Sequence, residues 1–273
     1  MNNFDPFAAE WISYAKNPQY TLIEKCLKLA QTLEFPDLDV TSYLQKIESL
    51  KQGLRDHISD VKNPIYLVSM LNEYMFDVLE FRGDSDDYYN PHNNFLNIVI
   101  DKRSGIPITL SIIYIELARA IGLELHPVGF PGHFLVKYSE ELILDPFNRG
   151  SLLDIEDLQD ILDSTYGEGV EFEPEFLNDI EPEKILIRIL RNLKGSYTES
   201  FSYDRAMRCI NMILGLEPDL PEDIRDKGIV QARMRQDDLA LISLNKYLEL
   251  APEADDVDEI LEMIKGIKEK SSR

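Results

Sequence analysis

The chain is poor in the residues that staple a fold, ligate metals or grip nucleic acid. Its 273 residues include two cysteines, Cys26 and Cys209, with no framework spacing. Disulfide stapling is therefore excluded, and both read as buried, reduced thiols. Four histidines occur without HxH or HExxH spacing. A metal centre recruiting His133 with Asp145, His92 or His126 has no sequence support, and neither metal nor other cofactor is expected. Basic residues are scarce, 28 against 50 acidic ones, for a net charge of −22. Phosphate backbones and anionic membrane surfaces both require basic patches, so neither is an expected partner. The segment MNNFDPFAAEWISYAK lacks a basic start followed by an apolar run, so no signal peptide is expected. The longest apolar stretch, 106–123, contains Glu116 and Arg119 and reads as a core helix rather than a membrane span. These absences together predict a cytoplasmic protein.

What is present is an ordinary globular composition, 44% hydrophobic and 29% charged. Apolar residues at three and four spacings predict helices over 8–15, 22–32 and 40–58, with another from Asn63-Pro64 to about 81. The whole of 4–82 reads as helical, punctuated at Asn17-Pro18 and Phe35-Pro36. Turn formers dominate 83–94, and a helical approach is expected over 95–102. Gly105 and Pro107 then mark the start of a central helix and Gly122 its end. Its apolar residues surround most of its circumference, which predicts burial as the hub of a domain. Strands are expected over 125–129, 133–138 and 141–145. A three-residue turn would set His133 directly opposite Asp145; a two-residue turn would make them diagonal neighbours.

From about 185 the pattern changes to paired helices. Shifting the segment by 34 residues aligns Ala206 with Ala240, Leu214 with Leu248, Leu216 with Leu250 and Pro218 with Pro252. That period, with a small residue in the second helix and a closing proline, is the tetratricopeptide signature. Two such repeats cannot bury a core alone, so they should pack onto the preceding domain or need capping helices, one of which 257–268 supplies. The expected class is α+β. N-terminal helices (1–82) pack on a core domain (83–180), and tetratricopeptide-like repeats follow (181–273).

RSGIPITLSIIYIELARAIGL followed by FPGHFLVK and LDPFNRG resembles the SirB-type bacterial proteins, a transglutaminase-like domain followed by tetratricopeptide repeats. FRGDSDDYYNPHNNFLNIVI upstream, and RNLKGSY and RDKGI in the repeats, fit the same pattern. The resemblance implies a cysteine-proteinase-like fold, a helix packed against an antiparallel sheet. It implies a base at His133, an orienting carboxylate at Asp145 and a nucleophilic cysteine about fifteen residues before Gly122. Pro107 stands there. Proline has no nucleophile and no N–H, so thiol chemistry and a share in an oxyanion hole are both ruled out at that position. Ser104 is the substitute hydroxyl to consider; Thr109 is turned about 200° round the helix from Pro107. Tyr88, Tyr89 and Asn93, with Pro107, Phe130 and Asn148, would rim the cleft, while Phe147 reads as core. The expected function is a non-catalytic adaptor that holds a protein or peptide partner, a basic one by charge, in the His133–Asp145 cleft or on the repeats. The alternative is a hydrolase or acyltransferase using Ser104 or Cys26.

Overall fold

In the computed structural model, residues 6–58, 63–167 and 169–271 are described. The helical expectation at 4–5 and 59–62 lies outside them. The chain runs through α1 (Pro6–Lys16), α2 (Leu22–Leu33), α3 (Val40–His57) and α4 (Pro64–Asn72), which passes into a π-helical turn, Glu73–Val78. There follow β1 (Arg82–Gly83), a 3₁₀ turn at Pro91–Asn94, α5 (Leu96–Lys102), β2 (Ser104–Gly105) and α6 (Pro107–Arg119). Strands β3 (His126–Val128), β4 (Leu135–Ser139), β5 (Leu142–Asp145) and β6 (Ser151–Leu153) come next, with a 3₁₀ turn, Pro146–Asn148, between β5 and β6. After α7 (Ile155–Tyr166) and a short turn at Pro174–Leu177 the rest is helical: α8 (Pro182–Glu199), α9 (Tyr203–Leu216), α10 (Pro221–Arg233), α11 (Asp237–Leu250) and α12 (Val257–Ser271).

Local chemistry accounts for the helix starts. Thr21 and Glu24 form a reciprocal capping box on α2, and Asp39 and Asn63 cap α3 and α4 through their side-chain oxygens. Pro107 opens α6, where its missing N–H removes no helical bond. Thr109 Oγ1 then accepts from Ile106 N at 3.2 Å, supplying a cap the apolar Ile106 side chain cannot.

Two units are distinguished by contact. The first is Gln19–Leu186. Its hub is α6, whose Leu110, Ile113, Tyr114 and Leu117 are fully buried. It packs on α2, α3, α4 and α5 and on strands β3 and β4 of an antiparallel sheet ordered β3-β4-β5-β6. Leu158 and Leu162 of α7 close a second cluster with Val128, Phe130, Leu135, Ile143 and Leu177. A helix of this kind against such a sheet is the α+β arrangement expected. Strand β6 and helix α7 add to the expected elements, α7 starting at an Asp154–Asp157 capping box and ending at Gly167.

The second unit joins Met1–Pro18 to Ile187–Arg273. This differs from the sequence division at 82 and 180, which grouped the first helix with the core domain. Helix α1 instead lies on α9, with Ile12 so close to Gly215 that a Cβ there would come within 2.2 Å of Ile12 Cδ1. Trp11, Ala8 and Ala15 are buried on it. At the other end, Ile260, Ile264 and Ile267 of α12 complete a cluster with Ala240, Leu244 and Tyr247. The repeats thus have a covering helix on each side.

Within this unit Asp223 is wholly buried. Arg191 Nε and Nη2 donate to its Oδ2 at 2.9 and 2.6 Å, and Lys194 Nζ to its Oδ1 at 2.7 Å. Removing one member of such a network leaves the others uncompensated. Asp223→Ala should therefore lower the unfolding free energy by about 2 kcal/mol or more, read from the urea denaturation midpoint.

Candidate functional site

His133 does not begin a strand, as expected, but ends the turn Phe130–His133, closed by His133 N donating to Phe130 O at 3.1 Å. Gly132 takes the left-handed conformation (φ +71°), and a Cβ there would meet Thr165 at 2.4 Å, so only glycine fits the turn without strain. The β4–β5 hairpin pairs Val136 with Leu144 and Lys137 with Ile143, then shifts register to pair Ser139 with Leu142 around the two-residue turn Glu140-Glu141. Continuing that register sets Asp145 opposite Leu135, two residues past His133. The diagonal arrangement is the one realised.

The two side chains meet. His133 Nε2 donates to Asp145 Oδ2 at 2.8 Å. Asn148 Nδ2 donates to the same oxygen at 2.7 Å, and Phe147 N to Oδ1 at 2.9 Å. Asp145 is 1% exposed and the His133 side chain 14%. Burial alone would push the Asp145 carboxyl up, but the His133 bond and charge, then the Asn148 and Phe147 bonds, outweigh it and hold it below the usual carboxylate range.

This pair is tied to α6 through a second set of bonds. Gly150 N donates to Asp145 O at 2.7 Å, while Gly150 O accepts from Asn72 Nδ2 at 2.9 Å. Asn72 Oδ1 in turn accepts from Tyr114 OH, on α6, at 2.7 Å. Asn72 ends α4 where the helix widens into its π turn. An aromatic path leads the other way: His133 meets the Phe147 ring edge-on at 6.1 Å, Phe147 meets Tyr88 at 5.9 Å, and Tyr88 meets Tyr89 at 5.3 Å. Gly83 makes room, since a Cβ there would lie 2.7 Å from the Phe147 ring.

Of the residues expected at the rim, Tyr88, Tyr89 and Asn148 are exposed, Tyr89 at 79%. Asn93, Pro107 and Phe130 are buried, and direct contact by these three is revised. Asn93 holds its loop, with Nδ2 on Asp87 O and its carbonyl accepting from Thr109 Oγ1. Phe130 fills the cluster under α7. Phe147, expected as core, is only half-buried and touches His133. Asn72, Tyr114 and Gly150 went unremarked, although a polar residue closing the apolar stretch 64–72 was a visible signal.

Pro107 occupies the first position of α6. Ser104 is buried in β2, paired in parallel with Arg82 of β1. Thr109 spends its hydroxyl on the helix start, and Ser111 Oγ is buried without a partner among the described residues. Burial pushes the Cys26 and Cys209 thiols up to about 12, far from thiolate formation at neutral pH. No group of three or more His, Cys, Asp or Glu side chains is gathered to hold a metal among the described residues, and no described helix is long and apolar enough to cross a membrane.

A central helix on an antiparallel sheet, with a His–Asp pair where the sheet ends, defines the papain-like and transglutaminase-like class. Residues 41–191 match the transglutaminase-like superfamily and 193–265 a tetratricopeptide repeat, and the chain belongs to that superfamily as one of its members with appended repeats. It is 37% identical over 233 residues to a UPF0162 protein of Xylella fastidiosa, covering 83% of each chain. A UPF0162 protein of Vibrio cholerae is 28% identical over 176 residues, 63% of this chain and 65% of that one. Human F-box only protein 21 is 27% identical over 156 residues, 53% of this chain but 24% of that protein.

Two expectations follow from the geometry. Gly150 has φ +67°, and a Cβ would lie 2.0 Å from Asn72 Oδ1. Gly150→Ala should cost about 2 kcal/mol by strain and by loss of the Asn72 bonds, measured by thermal unfolding. A depressed folded-state pKa at Asp145 contributes stability that is present above the unfolded value, about 3.9, and lost as pH falls through the folded one. The difference in unfolding free energy between wild type and Asp145→Asn should accordingly narrow below about pH 4.

Proposed function

We propose that this protein is a cytoplasmic adaptor that binds a protein partner and performs no acyl transfer. The observation that carries the reading is Pro107 at the head of α6, where the resemblance would put the thiol, in a chain that keeps a bonded His133–Asp145 pair. The alternative nucleophiles are poorly placed for chemistry: Ser104 is buried in a strand, and Cys26 is a desolvated thiol. Exposed Tyr88, Tyr89 and Asn148 around the pair form the contact surface, since aromatic side chains are the usual anchors of protein interfaces. Two unpaired, buried cysteines accord with a reducing compartment.

Charge points to a basic partner. Gln19–Leu186 holds thirteen Lys/Arg against 31 Asp/Glu, a net of −18, whereas the repeat-bearing unit holds fifteen against nineteen, a net of −4. Between Arg149 and Lys184 there are twelve acidic residues and no basic one. Such a field raises the encounter rate with cationic surfaces and repels polyanions, which accords with a protein rather than nucleic acid or membrane as partner.

The full chain, incubated with electrophilic acyl probes and with amide and ester substrates, should show no turnover and no stoichiometric label. Tyr89→Ala should weaken the captured partner about tenfold with unchanged Tm. Stoichiometric labelling of Ser104 or Cys26 that disappears in His133→Ala would replace the adaptor with a hydrolase or acyltransferase.

A further inference from the structure

The sheet ordered β3-β4-β5-β6 has two edges, and the chain covers one of them. At β3, Val128 bridges to Asp179, and Ile180 N donates to Pro127 O at 3.0 Å. At β6, Ser151, Leu152 and Leu153 pair with Asp145, Leu144 and Ile143 of β5 and make no backbone bond to any other segment among the described residues. The groups on either side of this stretch are met, Gly150 O by Asn72 Nδ2 and Asp154 N by Asp157 Oδ2. Backbone groups alternate in direction along a strand, so those of β6 that point away from β5 stand without a partner.

Side chains mark the same place. Val136, Leu144 and Leu152 lie side by side across β4, β5 and β6 on one face of the sheet. The first two are fully buried, whereas Leu152, at the outer end of the row, is 55% exposed. A further strand would set its own side chain next to Leu152 and continue the row. Ile155, just past the strand, is 68% exposed. The border is acidic. Asp154, Glu156, Asp157 and Asp160 follow β6 and are exposed, as is Glu141 in the turn at the same end of the sheet. No basic residue occurs between Arg149 and Lys184. Such a border repels a second copy of the chain, whose own edge carries the same acid, and attracts a cationic segment.

We propose that the β6 edge takes up an extended segment of a basic partner as an added strand, with an apolar residue beside Leu152 and Lys or Arg beside the acids. Main-chain bonds to β6 hold such a segment, and the side chains select it. The inference rests on the reading of the protein as a partner-binding adaptor and supplies its mode of recognition. Ser151 stands opposite Asp145, so the added strand lies one strand away from the retained pair.

The test uses the full chain and a fluorescein-labelled peptide of alternating threonine and valine flanked by lysines, read by fluorescence anisotropy. N-methylation at every valine or at every threonine should weaken binding about tenfold in one case and little in the other, since a strand offers only alternate amides to its neighbour. Replacing the lysines by glutamates, or Leu152→Arg in the protein, should each weaken it about tenfold or more, the variant with unchanged Tm. The methylated peptides decide the matter on the wild type even where Leu152→Arg unfolds. Absence of binding by the parent peptide, or equal affinity of the parent and both methylated forms, would overturn the inference. So would a wild-type dimer in sedimentation that Leu152→Arg dissociates, which would give the edge to a second copy. Peptide binding lost in Tyr89→Ala but kept in Leu152→Arg would sink the edge and leave the adaptor standing. Acyl turnover with the methylation pattern intact would sink the adaptor and leave the edge as a substrate-holding strand.

Discussion

A carboxylate with 1% exposure must be answered by donors, and in the transglutaminase-like unit that requirement organises everything around Asp145. His133 supplies one donor, Asn148 another and the Phe147 amide a third. Meeting it shapes the backbone: β5 ends where the carboxylate caps the 3₁₀ turn, and Arg149 and Gly150 both turn left-handed to bring the chain back to Asp145 O. Asn72 and Tyr114 then fasten that return to the hub helix. The His–Asp geometry is thus held by several folding contacts at once. Pro107 is a favourable first residue for α6, where its missing N–H removes no helical bond.

Much of this was legible because the signals were strong and local. The hub helix is announced by Gly105, Pro107 and Gly122 around an apolar run, and the repeats by a period of 34 residues. The meeting of His133 and Asp145 followed from strand spacing, with the turn length deciding between two registers. What escaped depends on contacts between distant segments. Nothing near Gly150 announces Asn72, 78 positions away, and Phe147 looks like core until Gly83 is seen to admit it beside His133. Asn93 and Phe130 failed as rim residues because turn-rich sequence marks a loop but not which of its side chains face inward.

Charge is divided as unevenly as architecture. The transglutaminase-like unit carries the excess acid, with twelve acidic residues and no basic one between Arg149 and Lys184. The repeat unit uses its charges internally, where Arg191, Lys194, Arg225, Asp223, Asp226 and Asp256 tie α8, α10 and the approach to α12. Both units hold short-range ion pairs, and the transglutaminase-like unit carries most of the net negative charge besides.

Helix α1 covers α9 although almost two hundred residues separate them. During synthesis α1 is made long before α9, the surface that receives Ile12. Helix α1 therefore waits for its partner while the intervening residues are made. Closing so large a loop carries an entropic charge that grows only logarithmically with length, so the delay is kinetic far more than thermodynamic. Until α9 is made, the apolar side of α1 has no partner from its own unit to cover it.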